Sequence, residues 1–321
     1  MSRAAVGERT VLSHDARVER IAVHEQRVDA LVGPHLARRR RSARHPVEDF
    51  LFSYYSFRPA QLRRWHPGTG VLLLKADPAE LGAQYVAVEG GAALDTDAVV
   101  ARRRESLAWI AQVLSRTAGR PARFGCFGMH EWAMVYRQDP AQVRHRHLPL
   151  RMGSDGTDEV VEASPIRCSH FDAYRFFTDP ARPLNTVTPS RELQVDLEQP
   201  GCLHANMDLY KWAYKLSPLV PSELVADAFE LAREIRVLDM RASPYDLSGL
   251  GYEPVPVESA AGKAEYASAQ RAFAQRAAAL RALLVDAVTR LDADCWPRPR
   301  NDVPATITGA GTRHEFRRAA R

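Results

Sequence analysis

The chain has 321 residues, of which 45% are hydrophobic and 26% charged, with a formal net charge of +5 at pH 7. That length allows one large or two modest domains around a substantial core, and no apolar run approaches the ~20 residues that cross a bilayer. The start, Met1-Ser-Arg-Ala-Ala-Val-Gly-Glu-Arg9, lacks the apolar segment of a secretion signal, so a cytoplasmic protein without a membrane partner is expected.

Only four of the 44 basic residues are lysine: Lys75, Lys211, Lys215 and Lys263. An arginine bias of this size, beside Ala-rich stretches, reflects GC-rich coding as much as phosphate binding. The distribution is more telling. Residues 1–66 carry 13 arginines against 7 acidic residues, with Arg38, Arg39, Arg40, Arg41 and Arg44 packed together and Arg58, Arg63 and Arg64 following. Such a cluster suits nucleic-acid phosphates, and it equally suits a solvated helix end. Cys126, Cys168, Cys202 and Cys295 form no CxxC pair and read as reduced thiols. Three of them closely precede a histidine, but the paired spacing of a zinc site is missing.

In chain order, residues 1–14 read as a flexible start. Val18, Ile21, Ala22, Val28, Leu31 and Val32 predict an amphipathic helix over 15–37 that ends in the arginine run. Residues 47–57 are densely aromatic and read as a helix, and Pro59 opens a further turn up to Trp65. Arginines interleaved with Tyr54, Tyr55, Phe57 and Trp65 suit base stacking, although aromatic residues at helical spacing also make ordinary core. Residues 71–74 and 84–88 are strand-like and could form a small hairpin. A helix from Asp97 to about Gly119 follows.

Residues 179–200 form a Pro-containing connection of the kind that often carries function. Pro200 and Gly201 then introduce a helix to about Leu216, on which His204, Asp208, Lys211 and Lys215 share one face and Met207, Tyr210 and Tyr214 another. Ser222 reads as the cap of the next helix, whose Asp227, Glu230, Glu234, Arg233 and Arg236 suggest a solvated charged strip. Pro244 ends it and leaves Tyr245 and Asp246 on a turn. An Ala-rich helix spans about 263–292, and 293–321 read as a disordered Pro/Arg-rich tail. The expected fold is mainly α with a small β component, as one compact helical domain over 15–292.

Five blocks resemble an actinobacterial family labelled 3-methyladenine DNA glycosylase: His45-Pro-Val-Glu-Asp-Phe-Leu-Phe-Ser-Tyr-Tyr-Ser-Phe-Arg-Pro-Ala-Gln-Leu-Arg-Arg-Trp65, Cys126-Phe-Gly-Met-His-Glu-Trp-Ala-Met-Val-Tyr-Arg137, Arg167-Cys-Ser-His-Phe-Asp-Ala-Tyr-Arg-Phe-Phe177, Gln199-Pro-Gly-Cys-Leu-His-Ala-Asn-Met-Asp-Leu-Tyr-Lys211 and Arg236-Val-Leu-Asp-Met-Arg-Ala-Ser-Pro-Tyr-Asp246. The resemblance covers about residues 15–292. It implies release of alkylated purines from damaged DNA, without a cofactor. A purine alkylated at N3 or N7 leaves readily, so such an enzyme needs aromatic stacking and a carboxylate near C1′. Under that implication Asp208, Asp246, His204 and Glu131 are the expected catalytic residues, with Asp239 and Asp172 as further carboxylates. Tyr210, Lys211, Trp132, Tyr245 and Arg241 are the expected base- and substrate-binding residues, and Arg39, Arg40, Arg58 and Arg64 the expected nucleic-acid contacts.

The residues alone leave a second reading open. His130, Glu131, His170, Asp172, His204 and Asp208 combine imidazoles and carboxylates from three segments, a ligand set that suits iron, manganese or zinc. His130-Glu131 does not extend to the zinc-protease helix motif, because Met134 stands where its second histidine belongs. A third reading is a non-catalytic nucleic-acid or small-molecule binder.

Overall fold

The structure, a computed structural model, describes residues 10–139, 141–143 and 145–291. Its elements are β1 (Thr10–Leu12), α1 (His14–Arg40), α2 (Phe50–Tyr54), α3 (Pro59–Arg63), β2 (Val71–Leu74), α4 (Pro78–Leu81), β3 (Tyr85–Val88), β4 (Gly91–Leu94) and α5 (Thr96–Ala118). There follow α6 (Met129–Ala133), α7 (Gly153–Glu162), α8 (Phe171–Tyr174), α9 (Gln194–Leu197), α10 (Leu203–Met207), α11 (Leu209–Leu216), α12 (Ser222–Arg241) and α13 (Ala260–Arg290). The protein is mainly helical with one small sheet. No helix among the described residues is long and apolar enough to cross a membrane.

α12 lies at the centre because almost every apolar position along it is buried, from Leu224 and Ala228 to Ile235 and Leu238. It packs on α10, α11 and α13, and α13 crosses behind to reach α5. The small Ala274 and Ala277 let α13 approach closely, while Tyr266, Leu284 and Val288 fill the space between. Near the start of α13, a Cβ on Gly262 would stand 2.0 Å from the carbonyl oxygen of Pro256. Gly262→Ala is therefore expected to destabilise the fold by about 1–3 kcal/mol, even though alanine gains up to ~1 kcal/mol in helix propensity. A lowered urea midpoint at unchanged slope would show it.

Several sequence expectations are corrected. The start is not flexible up to residue 14: β1 pairs in parallel with β2, and the side chain of Ser13 caps α1. The segment over 47–57 is helical only from Phe50 to Tyr54. β2 and β3 do not form a hairpin with each other, because β4 lies between them in the order β1-β2-β4-β3. β4 is Gly-Ala-Ala-Leu, a composition that conceals a strand, yet a Cβ on Gly91 would meet the Leu73 carbonyl oxygen at 1.9 Å. Only glycine permits that approach. Ser222 does not cap α12: its hydroxyl accepts from the His66 amide and donates to the Arg64 carbonyl, tying α12 to the segment after α3. The expected tail over 293–321 lies outside the described residues.

Candidate metal centre

The helix expected over 203–216 is two helices that meet at Asp208. The junction keeps the four- and three-residue spacing, so His204, Asp208 and Lys211 all turn inward, while Lys215 is exposed. α6 supplies His130 and Glu131, and the start of α8 supplies His170 and Asp172. The three predicted segments therefore meet. His204 stands between the other two imidazoles, with ring centroids 4.3 Å from His130 and 5.3 Å from His170.

Two further residues complete the cluster. Asp239 comes from the last turn of α12, and Glu198 from the end of the Pro-containing connection. One ligand atom each from His130, His204 and Asp239 lies within 4.8 Å of the others, and the same holds for His170, Glu198 and Asp208. All six residues are buried. His130 Nε2 and Asp239 Oδ1 are 2.8 Å apart, yet neither atom has the alignment of a hydrogen bond. The other oxygen of Asp239 accepts from Arg236 at 2.9 Å, and Arg236 reaches Glu131 at 2.7 Å. A carboxylate with one oxygen anchored and one presented is how an outer-shell partner orients a metal ligand.

The second triad is arranged similarly. His170 Nε2 is 3.3 Å from Asp208 Oδ2 and 3.4 Å from Glu198 Oε1, and neither ring nitrogen of His170 has a hydrogen-bond partner. Tyr55 donates to Asp208 Oδ1 at 2.9 Å, and Lys211 reaches Asp208 Oδ2 and, at 3.1 Å, Asp172. Gln194 donates to Glu198 at 2.5 Å.

Burial alone would raise both aspartates, but the cations beside them win. Asp208 is pulled well below the usual carboxylate range by Lys211 and His170, and Asp239 by His130 and then Arg236. Burial pushes Glu198 upward. His130 and His170 resist the downward pull of burial and shift upward, because Asp239 faces one and Asp208 and Glu198 the other. His204 falls well below its ordinary value through burial and the neighbouring His130, and so stays neutral. Arg236 pairs with Glu131 and Asp239, Lys211 with Asp208 and Asp172, and Arg175 and Arg191 lie against Asp172 at 3.4 and 3.9 Å.

Cavities reach this centre. One is lined by His130, His204, Tyr266 and the thiols of Cys126, Cys168 and Cys202. Another touches His204, Glu131, Asp172, Tyr54 and Arg236. Each leaves about 20 Å³ for the centres of water-sized molecules, which suits a water, dioxygen or an ion but not a purine. Burial pushes the Cys168 thiol up to about 12, so it stays protonated. The three described cysteines are free thiols, as expected.

Other predicted site residues lie elsewhere. Asp246 is half-exposed on the turn after α12 and accepts from the Ser248 amide. Tyr245 is buried against His145. Trp132 is buried with its indole donating to the Ala242 carbonyl, and Tyr210 packs among Tyr55, Tyr214 and Phe229, so neither ring face is open to a base. Arg241 binds the Glu253 carbonyl. Arg39 and Arg40 are exposed at the end of α1, Arg58 is exposed before α3, and Arg64 holds the Leu81 carbonyl. Arg236 belongs to no solvated strip: it is 2% exposed and sits 3.9 Å over the Phe50 ring. Glu198 escaped the sequence reading, and its one signal was its place beside Gln199-Pro200 at the end of a long connection. Set against family models, curated proteins and solved structures, the chain matches none.

Proposed function

We propose that the protein is a transition-metal enzyme in which His130, His204 and Asp239 hold the ion. The carrying observation is the convergence of His130, His204 and Asp239: their ligand atoms lie within 4.8 Å of one another, with His130 Nε2 and Asp239 Oδ1 a buried pair 2.8 Å apart beside a neutral His204. Two imidazoles and one carboxylate with room left over form the ligand set of non-haem iron chemistry. The water-sized cavity against His130 and His204 supports oxidation of a small substrate, with dioxygen as the oxidant. Such an ion would supply redox chemistry. The chain's own part is to hold the carboxylate through Arg236, to exclude bulk water and to keep His204 unprotonated.

A specific surface feature favours a second reading, the release of alkylated purines. A groove of about 770 Å³ is lined by His35, Arg39, Phe52, Tyr55, Phe57 and Arg58, and Tyr55 joins it to the ionised Asp208. In this reading Arg39 and Arg58 meet phosphate, Phe57 stacks, and Tyr55 shifts to expose Asp208 to C1′.

One preparation tests both readings. Protein purified without added metal is assayed for bound iron, manganese and zinc, and for base release from methylated DNA. About one equivalent or more of iron or manganese, largely lost in His130→Asn and Asp239→Asn, supports the metal enzyme. Metal-free protein that also takes up none of the three ions on incubation overturns it. Base release abolished by Asp208→Asn supports the second reading, and none from the wild-type chain removes it.

A further inference from the structure

We infer that the cluster holds two ions rather than one, the second on His170, Glu198 and Asp208, with Lys211 as its built-in competitor. This rests on the metal reading above and adds a site, an ion class and a means of control to it. His170 is 0% exposed, and both of its ring nitrogens lack hydrogen-bond partners. An imidazole fully removed from water and held only by long, poorly aligned contacts to two carboxylates is incompletely satisfied. Its Nε2 faces one oxygen of Glu198 and one of Asp208 at 3.4 and 3.3 Å. These separations are too long and too poorly aligned for good hydrogen bonds, but they frame a space on which three ligand atoms converge. The same convergence is repeated a few ångströms away at the first triad, with His204 standing between the two.

The donor set selects the ion. Two carboxylate oxygens and one imidazole make a harder site than two imidazoles and one carboxylate, and manganese(II) or iron(II) fits it better than copper or a thiolate-seeking ion. Helical proteins place pairs of such ions between facing helices with ligands of this kind. Here α8, the end of α9, and the α10–α11 junction supply the second triad, whereas α6, α10 and α12 supply the first.

Lys211 explains how the second site stays intact when no ion is bound. Its ammonium contacts the same Asp208 oxygen that faces His170, and it also bonds Asp172 at 3.1 Å. An arriving dication competes for that oxygen, and Asp172 keeps the displaced ammonium paired. Asp172 is in turn within 3.4 Å of Arg175, which leaves it a carboxylate already matched to more than one cation. Tyr55 holds the other oxygen of Asp208, the anchoring that metal-binding carboxylates usually have, while Gln194 donates to the same Glu198 oxygen that faces His170 and fixes where it points.

The experiment uses the full chain and Mn²⁺ as the probe. Metal-free protein is titrated with Mn²⁺, bound ion is counted, and the spin resonance of the bound manganese is recorded. Two equivalents with a spin-coupled spectrum are expected for the wild type. Glu198→Gln is expected to bind one equivalent with an uncoupled spectrum, and Lys211→Met to bind the second ion about 10-fold or more tightly. A wild type that binds one equivalent, unchanged by Glu198→Gln, overturns the second site and leaves the first standing. A wild type that binds none overturns both. Two equivalents retained in Glu198→Gln would place the second ion elsewhere and also overturn the assignment. Circular dichroism and the unfolding midpoint of each variant confirm that a lost equivalent is not a lost fold.

Discussion

Replacing Arg236 with methionine is expected to lower stability by about 3–5 kcal/mol, the usual effect of removing one partner from a buried ion pair. The guanidinium is 2% exposed and reaches Glu131 at 2.7 Å and Asp239 at 2.9 Å. Methionine fills part of the volume over Phe50, so most of the loss comes from two carboxylates left facing each other without their cation. The pH dependence separates this from a packing defect. Asp239 is depressed in the native state, so its contribution is present above the unfolded carboxyl value of ~3.9 and is lost as pH falls through its lower folded value. Without Arg236 that depression shrinks, so the gap between variant and wild type should hold down to ~4 and narrow as pH falls further, toward the depressed wild-type value. Adding Glu131→Gln to the variant should recover part of the loss. Urea midpoints for Arg236→Met beside Arg290→Met, an exposed pair with Asp286, give the comparison. Equal and small shifts would show that Arg236 does not neutralise a buried charge.

The same cluster shows what a one-dimensional pattern can and cannot carry. The four-, three-residue spacing of His204, Asp208 and Lys211 predicts a shared face, and that face is real, because the junction at Asp208 breaks the helix without rotating it out of phase. Short Cys-to-His spacings in three blocks were equally legible, and the thiols do line one cavity together. They are the reduced thiols that the missing paired zinc spacing leads one to expect. Arg236 was misleading because the long α12 carries charges on more than one face. Its Asp227 and Glu230 pair outward with Arg27, whereas Arg236 and Asp239 point into the core one turn apart. Only the packing of α6 and α10 against α12 tells these faces apart.

The sheet was half legible for a related reason. Val71–Leu74 declares itself by composition, whereas β4 offers only glycine, alanine and one leucine. Its pairing depends on small side chains letting two backbones approach, a property visible at Gly91 only in three dimensions. The basic N-terminal region was legible as charge but not as geometry. Arg38 is consumed by Asp49 and Glu48, and Arg63 by Glu25 and Asp29, while Arg39 and Arg58 remain on the groove above Tyr55. A count of arginines therefore overstates the surface left for phosphate.

Loading the ion-free protein with Mn²⁺ is expected to stabilise it by about 2.7 kcal/mol at 100-fold excess over Kd and about 4.1 kcal/mol at 1,000-fold. For a chain of this size each kcal/mol shifts Tm by roughly 2–4 °C, so a rise of about 5–15 °C is expected, reversed by a chelator. The shift should disappear in a variant carrying His130→Asn and Asp239→Asn in the first triad together with Glu198→Gln in the second. Its pH dependence has a definite sign. Without an ion, His130 is held above its ordinary value by Asp239, so its contribution is fully present below ~6.5 and is lost as pH rises through the raised folded value. A bound ion needs that imidazole neutral and releases its proton, while His204 is already neutral and releases none. The ion-free protein therefore loses stability across the window in which ion binding strengthens, and the two melting curves should separate as pH rises from ~5.5 to ~8. A loading shift that instead shrank over that interval, or that survived changes in both triads, would mean that the ion binds outside the cluster. The His130–Asp239 pair would then be an ordinary buried ion pair without a metal-binding role.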